Sequence, residues 1–274
     1  MVFGFLFKKK KQAEKDNSSL AKPTESKKNS QHWANRKGEL GEYKITIQLD
    51  QFSKNYMHHS DLLIKNDKSS TGYSQIDHVI ITPYGIFVIE TKNYQGTIYG
   101  GKDRKTWLIN GKFKMMSPLL QNYGHIQAIK NLIDINYHEY FISMVAFTKR
   151  CTFKIDEELR KINSNQLVVY DIELTEFINR KIAVLKLQYK EPFLSNQDIN
   201  SIHDALSTAN ILDPSIRKQH VESIKNNNAT KKDVHKCSIC HKPVSDKVKT
   251  YCLSNKRFNG NVYCFEHQKN FDNK

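Results

Sequence analysis

Residues 77–92 read DHVIITPYGIFVIETK, and the fold turns on this stretch. Two apolar runs, at 78–82 and 86–89, flank Pro83-Tyr84-Gly85, the pattern of a β-hairpin. With the turn centred on Tyr84, antiparallel pairing puts Asp77 roughly opposite Glu90. Glu90 and Lys92 are two apart and share one face of their strand. Three charged side chains then converge at one end of an apolar ribbon. Crowding two carboxylates with no cation nearby is costly, and a divalent metal held by them, with the lysine beside it, resolves the cost.

Working toward the N-terminus, residues 56–66 (YMHHSDLLIKN) predict a first strand, and 67–72 a polar loop. Before them, Arg36-Lys37-Gly38-Glu39-Leu40-Gly41-Glu42-Tyr43 leads into Ile45, Ile47 and Leu49, a helix of about four turns. Its two early glycines cost roughly 1 kcal/mol each relative to Ala, and are tolerable where a phosphate backbone or a strand approaches closely. Glu39 and Glu42 share a helical face. On spacing alone they read as a solvated acidic first turn favoured by the helix dipole.

Toward the C-terminus, residues 93–101 carry Gly96, Gly100 and Gly101, the composition of a bending strand. Asn110-Gly111 within 107–113 signals a two-residue hairpin. Ser117 as cap and Pro118 in the first turn open a helix with an apolar stripe of Leu119, Ile126, Ile129, Leu132 and Ile133. Gln121 and His125, four apart on another face, can both point at the hairpin's charged end. Strands are predicted at 141–147 and 166–170, with a charged helix at 156–161 between them. Further helices are predicted at 173–181 and 195–209, the second capped by Ser195 with Asp198. Strands and helices alternating after a hairpin group predict an α/β fold with a mixed sheet.

The chain has 274 residues, 38% of them hydrophobic, enough for one sizeable core plus a smaller appendage. Its net charge of +15 is concentrated in two arms. Residues 1–37 hold ten Lys/Arg against three acids and 217–274 thirteen against five, leaving 38–216 neutral with twenty of each. Basic arms around a neutral domain fit contact with a polyanion, nucleic acid before anionic membrane. No run approaches the ~20 apolar residues of a membrane helix. The leading MVFGFLF precedes its lysines, the reverse of a secretory signal, so the cytoplasm is the expected location. Residues Phe3 to Lys11 can rest weakly on a membrane surface.

Four of the five cysteines fall late in the chain, as Cys237-x-x-Cys240, Cys252 and Cys264-x-x-His267. Two close ligand pairs about two dozen residues apart suit a tetrahedral Zn²⁺ site. Cys237, Cys240, Cys264 and His267 are the expected ligands, with Cys252 or His241 able to replace one. Lys256 to Asn261 reads as the turn of a small hairpin. Disulfides are disfavoured because nothing points to export and Cys151 would be left over. The module is expected to fold around its metal, with nucleic-acid contact through its lysines as a second role.

The motifs across residues 36–133 resemble the nuclease-related domain (NERD) family. They are Gly38-Glu39-Leu40-Gly41-Glu42, Gln75-Ile76-Asp77-His78, Gly85 to Lys92, and Ser117-Pro118 with Gln121 and His125. The pattern is similar to that of the PD-(D/E)xK restriction-endonuclease-like superfamily, which implies a mixed sheet flanked by helices. It further implies that Asp77 and Glu90 hold Mg²⁺ (or Mn²⁺), that Lys92 assists the chemistry, and that Glu42 rather than Glu39 joins the metal. Gln121 looks like the helix glutamine some members place beside the metal, and His125 stands where many carry Tyr. The implied function is hydrolysis of phosphodiester bonds of DNA in processing or repair. The alternative is a non-catalytic scaffold binding DNA or RNA through its arms and zinc module. The expected organisation is a basic segment at 1–34, the nuclease-related domain with an α/β extension at 35–212, a polar linker at 213–235 and the zinc module at 236–274.

Overall fold

The structure, a computed structural model, describes residues 38–230 and 235–271. The basic N-terminal segment, with the membrane-contact stretch Phe3 to Lys11, lies outside the described residues.

The hairpin forms as its pattern demands. Strands β1 (Met57–Lys65), β2 (Tyr73–Thr82) and β3 (Gly85–Lys92) pair antiparallel in sequence order. The turn is two residues, Pro83-Tyr84, with Gly85 at φ 149°, where an added Cβ would lie 3.1 Å from the Tyr140 carbonyl oxygen. Strands β7 (Phe141–Phe147) and β9 (Gln166–Tyr170) then add parallel to β3, giving a mixed five-stranded sheet of order β1-β2-β3-β7-β9. A second sheet runs β6 (Phe113–Met116), β5 (Thr106–Ile109), β4 (Gly96–Tyr99), β8 (Cys151–Lys154). The mixed α/β architecture matches the expectation.

Strand parity sorts the core into two layers. Ile80, Phe87, Ile89, Met144 and Val169 face helix α1 (residues 38–49, through Ile45 and Leu49) and helix α3 (Leu174–Gln188). Val79, Ile81, Ile86 and Val88 face helix α2 (Pro118–Lys130) and helix α4 (Asn196–Ala209). Asp77, Glu90 and Lys92 have the parity of this second set, so all three lie on the α2 side. A third cluster, around Trp107, Phe147 and Val168, ties the second sheet to the first.

Several expectations need correction. The Asn110-Gly111 hairpin is real, but Ile109 pairs with Phe113, so its loop has three residues, with positive φ at both Asn110 and Gly111. Ser117 stands at the α2 N-terminus without donating or accepting a cap bond; Pro118 supplies the helical start instead. Residues 156–161 form only a 3₁₀ turn (Glu157–Arg160), and the strand β8 before them was not foreseen because CTFK is too short to show a period. Helix α3 runs past 181 to Gln188. Leu132 and Ile133 lie beyond the end of α2, although both still pack on the core.

The largest correction concerns the polar segment at 213–235, read as a linker. It carries helix α5 (Pro214–Thr230), which begins with Pro at its first position. Arg217 on α5 donates to the carbonyl oxygens of Ile211 and Asp61 and to the side chains of Asp61 and Asn210. Packing by one arginine and a buried His220 is invisible to a search for apolar periodicity.

Beyond it, helix α6 (Asp246–Ser254) and a short helix α7 (Phe265–Gln268) frame the cysteines. Residues 256–261 form a 3₁₀ turn with Asn259 and Gly260 at positive φ, not the tip of a β-hairpin.

Candidate functional site

The β2–β3 register pairs His78 with Ile89, and one step further along it sets Asp77 opposite Glu90. There the Thr91 N–H donates to Asp77 Oδ2 at 2.7 Å, tying the Asp77 carboxylate to the neighbouring strand. Glu90 is 2% exposed and is met by three side chains. Lys92 Nζ and Gln121 Nε2 (2.8 Å) donate to its Oε1, and the His125 ring Nε2 lies 3.1 Å from its Oε2. Lys92 Nζ also donates to Gln121 Oε1 at 3.0 Å.

Helix α2 delivers Gln121 and His125 because it is pinned to the sheet by Asn122. That buried amide donates to the Val88 carbonyl oxygen and to Ser143 Oγ, both at 2.8 Å. Asn122 was missed in the sequence, since a lone Asn in a helix carries no local signal of burial. His125, whose role the family pattern left unassigned, reaches the carboxylate directly.

Glu42 of α1 is half-buried and lines a cleft of about 780 Å³ together with Asp77, Gln121 and His125. Glu39 is exposed and does not line the cleft. Gly41, between them, faces Thr91 and Thr148, where a Cβ would sit at 3.5 and 3.6 Å. The close approach expected of this glycine is therefore to the end of a strand.

The charges do not balance. Burial, then the Glu90 and Glu42 charges, push the Asp77 carboxyl well above the usual carboxylate range. Glu42 is likewise raised, by burial and then by Asp61 and Glu90. Glu90 goes the other way: burial opposes its charge, but Lys92 and His125 outweigh burial. Lys92 is raised because Glu90 and Asp77 overcome the cost of burying it. One lysine thus neutralises one carboxylate and leaves two under strain.

A divalent cation fits this donor set. Mg²⁺ takes hard oxygen ligands and needs only one or two carboxylates besides water and phosphate. Asp77 keeps Oδ1 beside its bonded Oδ2, and a carboxylate such as Glu90 offers more lone pairs than its three protein donors use. The carboxylates are spread more widely than a cage of protein ligands alone would be. Among the described residues, the sole group of three or more His, Cys, Asp or Glu with ligand atoms all within 4.8 Å of one another lies elsewhere.

That group is Cys237, Cys240, Cys264 and His267. Cys237 Sγ and Cys264 Sγ lie 3.4 and 3.3 Å from His267 Nδ1, and Cys240 Sγ lies 3.7 Å from Cys264 Sγ. Burial opposes ionisation of Cys237, yet backbone N–H groups of Cys240, Cys264 and Ile239, with His267, bring its thiol down to about 5. A thiol poised as thiolate is a metal ligand. Neither alternative ligand joins: Cys252 Sγ is buried and accepts from Tyr263 N and Gln268 Nε2, and His241 serves the turn with φ 54°. No disulfide forms among the described cysteines.

Other residues of the quoted motifs do different work. His78 faces the α1 side, where Ser60 Oγ lies 2.9 Å from its Nδ1, and burial pushes its imidazole down to about 4. Gln75 donates to Asp61 Oδ1 at 2.9 Å. Asp61, opposite Asp77 in the β1–β2 register, adopts φ 54° and turns its carboxylate to Arg217.

Residues 37–148 match the NERD family, described as the nuclease-related domain. An uncharacterized protein of Bacillus anthracis is 31% identical over 203 residues, covering 73% of this chain and 88% of the relative. A crystal structure of a protein of unknown function, AF1548, aligns over 62% of this chain and 97% of its own length, with 9% identity and a TM-score of 0.26. No described helix is long and apolar enough to cross a membrane.

Proposed function

Because this chain belongs to the nuclease-related domain family, we propose that it is a Mg²⁺-dependent nuclease hydrolysing phosphodiester bonds of DNA, in processing or repair in the cytoplasm. The observation that carries the reading is the shared grip on Glu90. Lys92 and Gln121 meet on one oxygen of a buried carboxylate that faces Asp77 across the hairpin. A folded core has no use for such a cluster, whose burial costs several kcal/mol.

Asp77 and Glu90, with Glu42 at the rim, would hold the cation; Mn²⁺ suits the same oxygen donors. When bound, a divalent ion supplies charge neutralisation at the scissile phosphate and lowers the pKa of a water. Lys92 places its ammonium where negative charge grows on the phosphate oxygens as the P–O bond to the leaving sugar breaks. Gln121 fixes the separation of Lys92 and Glu90, and His125 fixes the rotation of the Glu90 carboxylate. The basic arms hold the polyanion without regard to sequence, so affinity falls steeply with salt.

At the C-terminal module the metal is Zn²⁺. Bond lengths of about 2.3 Å to sulfur and about 2.0 Å to nitrogen would give tetrahedral edges of roughly 3.5–3.8 Å, close to the 3.3, 3.4 and 3.7 Å found there. Its role is structural, with DNA or RNA contact through its lysines.

A second reading is favoured by the same bonds. Both Glu90 oxygens are engaged by protein donors, as they would be in a nuclease fold kept for binding DNA or RNA as a scaffold. Incubating supercoiled plasmid and single-stranded DNA with the protein and Mg²⁺ or Mn²⁺ decides between them. The nuclease reading expects cleavage that Asp77→Ala and Lys92→Ala abolish. Cleavage surviving in both variants removes the site assignment, and binding without cleavage leaves the scaffold.

A further inference from the structure

The C-terminal module carries a groove apart from its Cys/His group. Tyr251, Arg257, Phe265, Gln268 and Lys269 line it, and its volume is about 410 Å³. Two of its walls are aromatic rings left open to solvent, Phe265 at 71% and Tyr251 at 47%. Local structure explains why neither is buried. Tyr251 precedes Cys252 on α6, and neighbouring helical positions face different ways. Cys252 turns inward, where its sulfur accepts from Tyr263 N and Gln268 Nε2, so Tyr251 turns out. Phe265 follows Cys264, and the module's small core is already filled. Phe258, 1% exposed, sits there with Tyr263 and Phe271 against it.

Each open ring has a cation at its side. The Arg257 guanidinium lies 4.6 Å from the centre of the Phe258 ring and donates to Tyr251 Oη at 3.0 Å. Lys269 Nζ lies 5.2 Å from the centre of the Phe265 ring. Among the described residues, none of those lining the groove is acidic. The surrounding charge has the same sign, since residues 236–274 hold eight Lys/Arg against three acids. A plain anion site would need the cations without the rings, and a plain apolar contact the rings without the cations.

We propose that this groove holds an unpaired nucleic-acid strand, with its bases laid on Tyr251 and Phe265 and its phosphates on Arg257 and Lys269. Every base has a face to offer a ring, and such stacking is worth about ten-fold in affinity per base. In a duplex the base faces are stacked on one another, so a duplex meets only the cations. An acidic peptide also meets the cations and leaves the rings bare. Rings and charge together therefore select single strands, DNA or RNA alike. The proposal rests on the nucleic-acid role given above to the module, and it names the form of nucleic acid. It also gives the metal a purpose. Phe265 adjoins Cys264 and Lys269 stands two beyond His267, so the ion that gathers those ligands sets the groove.

The full-length protein, loaded with Zn²⁺ and free of other divalent ions, is titrated into labelled oligo(dT), oligo(rU), an abasic strand of the same length, a duplex and poly-glutamate. Tyr251→Ala with Phe265→Ala should weaken oligo(dT) and oligo(rU) by about ten-fold or more, and shift the other three by less than about two-fold. Tyr251→Phe with Phe265→Tyr keeps both rings and should bind as the wild type does. Tyr189→Ala, an exposed aromatic outside the module, should change nothing. Zinc content is measured in each variant to show that the module is folded. In the wild type, a strand carrying 5-iodouracil should photo-crosslink to Tyr251 or Phe265. An unaffected alanine pair overturns the proposal, as does an equal loss on the abasic strand, a loss on poly-glutamate, or crosslinks found only elsewhere. So does lost affinity in a zinc-loaded protein that keeps both rings. Strand binding through these rings without Mg²⁺-dependent cleavage removes the nuclease reading alone, and cleavage with indifferent rings removes this proposal alone.

Discussion

Gln121 Nε2 donates to Oε1 of Glu90 across 2.8 Å. The orientation of this amide is forced, because its oxygen accepts from Lys92 Nζ and an ammonium can only donate. One side chain on α2 therefore sets the spacing of the two residues that the hairpin presents.

Gln121→Leu removes both bonds and keeps the bulk. Stability should fall by about 1–3 kcal/mol, the range for stranding buried hydrogen-bonding groups. Mg²⁺-dependent cleavage should fall at least ten-fold, read on single-stranded DNA at a temperature where both proteins are folded. Full activity in a folded variant would remove Gln121 from the site.

Lys92→Met leaves Glu90, 2% exposed, without its cation. Breaking a buried pair from one side costs about 3–5 kcal/mol, whereas removing both charges is far cheaper. Urea melts of Lys92→Met should show that loss, and adding Glu90→Gln should recover most of it. Additive losses would mean the two side chains do not form a unit.

The full-length protein should carry one Zn²⁺ per chain by elemental analysis, lost in Cys237→Ser and in Cys264→Ser. Cys252→Ser should keep its metal, since that sulfur accepts hydrogen bonds from Tyr263 and Gln268 and lies outside the ligand group. Zinc lost with Cys252 would redraw the ligand set.

How much of this was legible in residues alone depended on the range of the signal. The hairpin, β7 and β9 are continuous apolar runs, and their periods reveal them. The opposition of Asp77 and Glu90 is only approximate in the sequence, which centres the turn on Tyr84; the two-residue Pro83-Tyr84 turn of the structure moves the register by one and makes it direct. The ligand pairs around Cys237 and Cys264 follow from spacing. Asn122, Asp61 and Arg217 were hidden because each acts through long-range polar bonds, which leave no period in the chain. Helix α5 was hidden for the same reason, and because Asn and Lys read as linker composition.

Arg217 anchors α5 through four acceptors, two on Asp61. The pair is partly exposed, so its ionic part is worth little, but the hydrogen bonds to backbone are not screened away. Arg217→Ala should cost about 1–2 kcal/mol and speed amide exchange across residues 214–225 while leaving β3 protected. Unchanged exchange in α5 would show that the helix is held by something else.

Arg160 makes a two-pronged bond to Glu173 and lies over the rings of Phe153, Tyr170 and Phe177. Burial is the largest single influence and raises Glu173, but hydrogen bonds from Arg160 and from the Tyr170 N–H, with the charges of Arg160 and Lys149, together carry its carboxyl below the ordinary 4.5. A depressed carboxyl adds stability above its unfolded value and loses it as pH falls through the lower folded value. Glu173→Gln should therefore be less stable than the wild type at neutral pH. The two melting temperatures should converge only as pH drops below 4.5. A constant difference down to acid would show that the charge on Glu173 contributes nothing.

The alternation of β3 gives the protein a division of labour that an engineer can use. Phe87 and Ile89 look toward α1 and α3, while Val88, Glu90 and Lys92 look toward α2. The first layer can be redesigned for thermal tolerance, by volume-conserving swaps at Phe87, Met144 or Val169, without touching the cluster around Glu90. Inserting or deleting one residue between Gly85 and Glu90 does the opposite. It turns both charges into the α1 layer, away from Gln121, His125 and Asp77, however little it changes the composition.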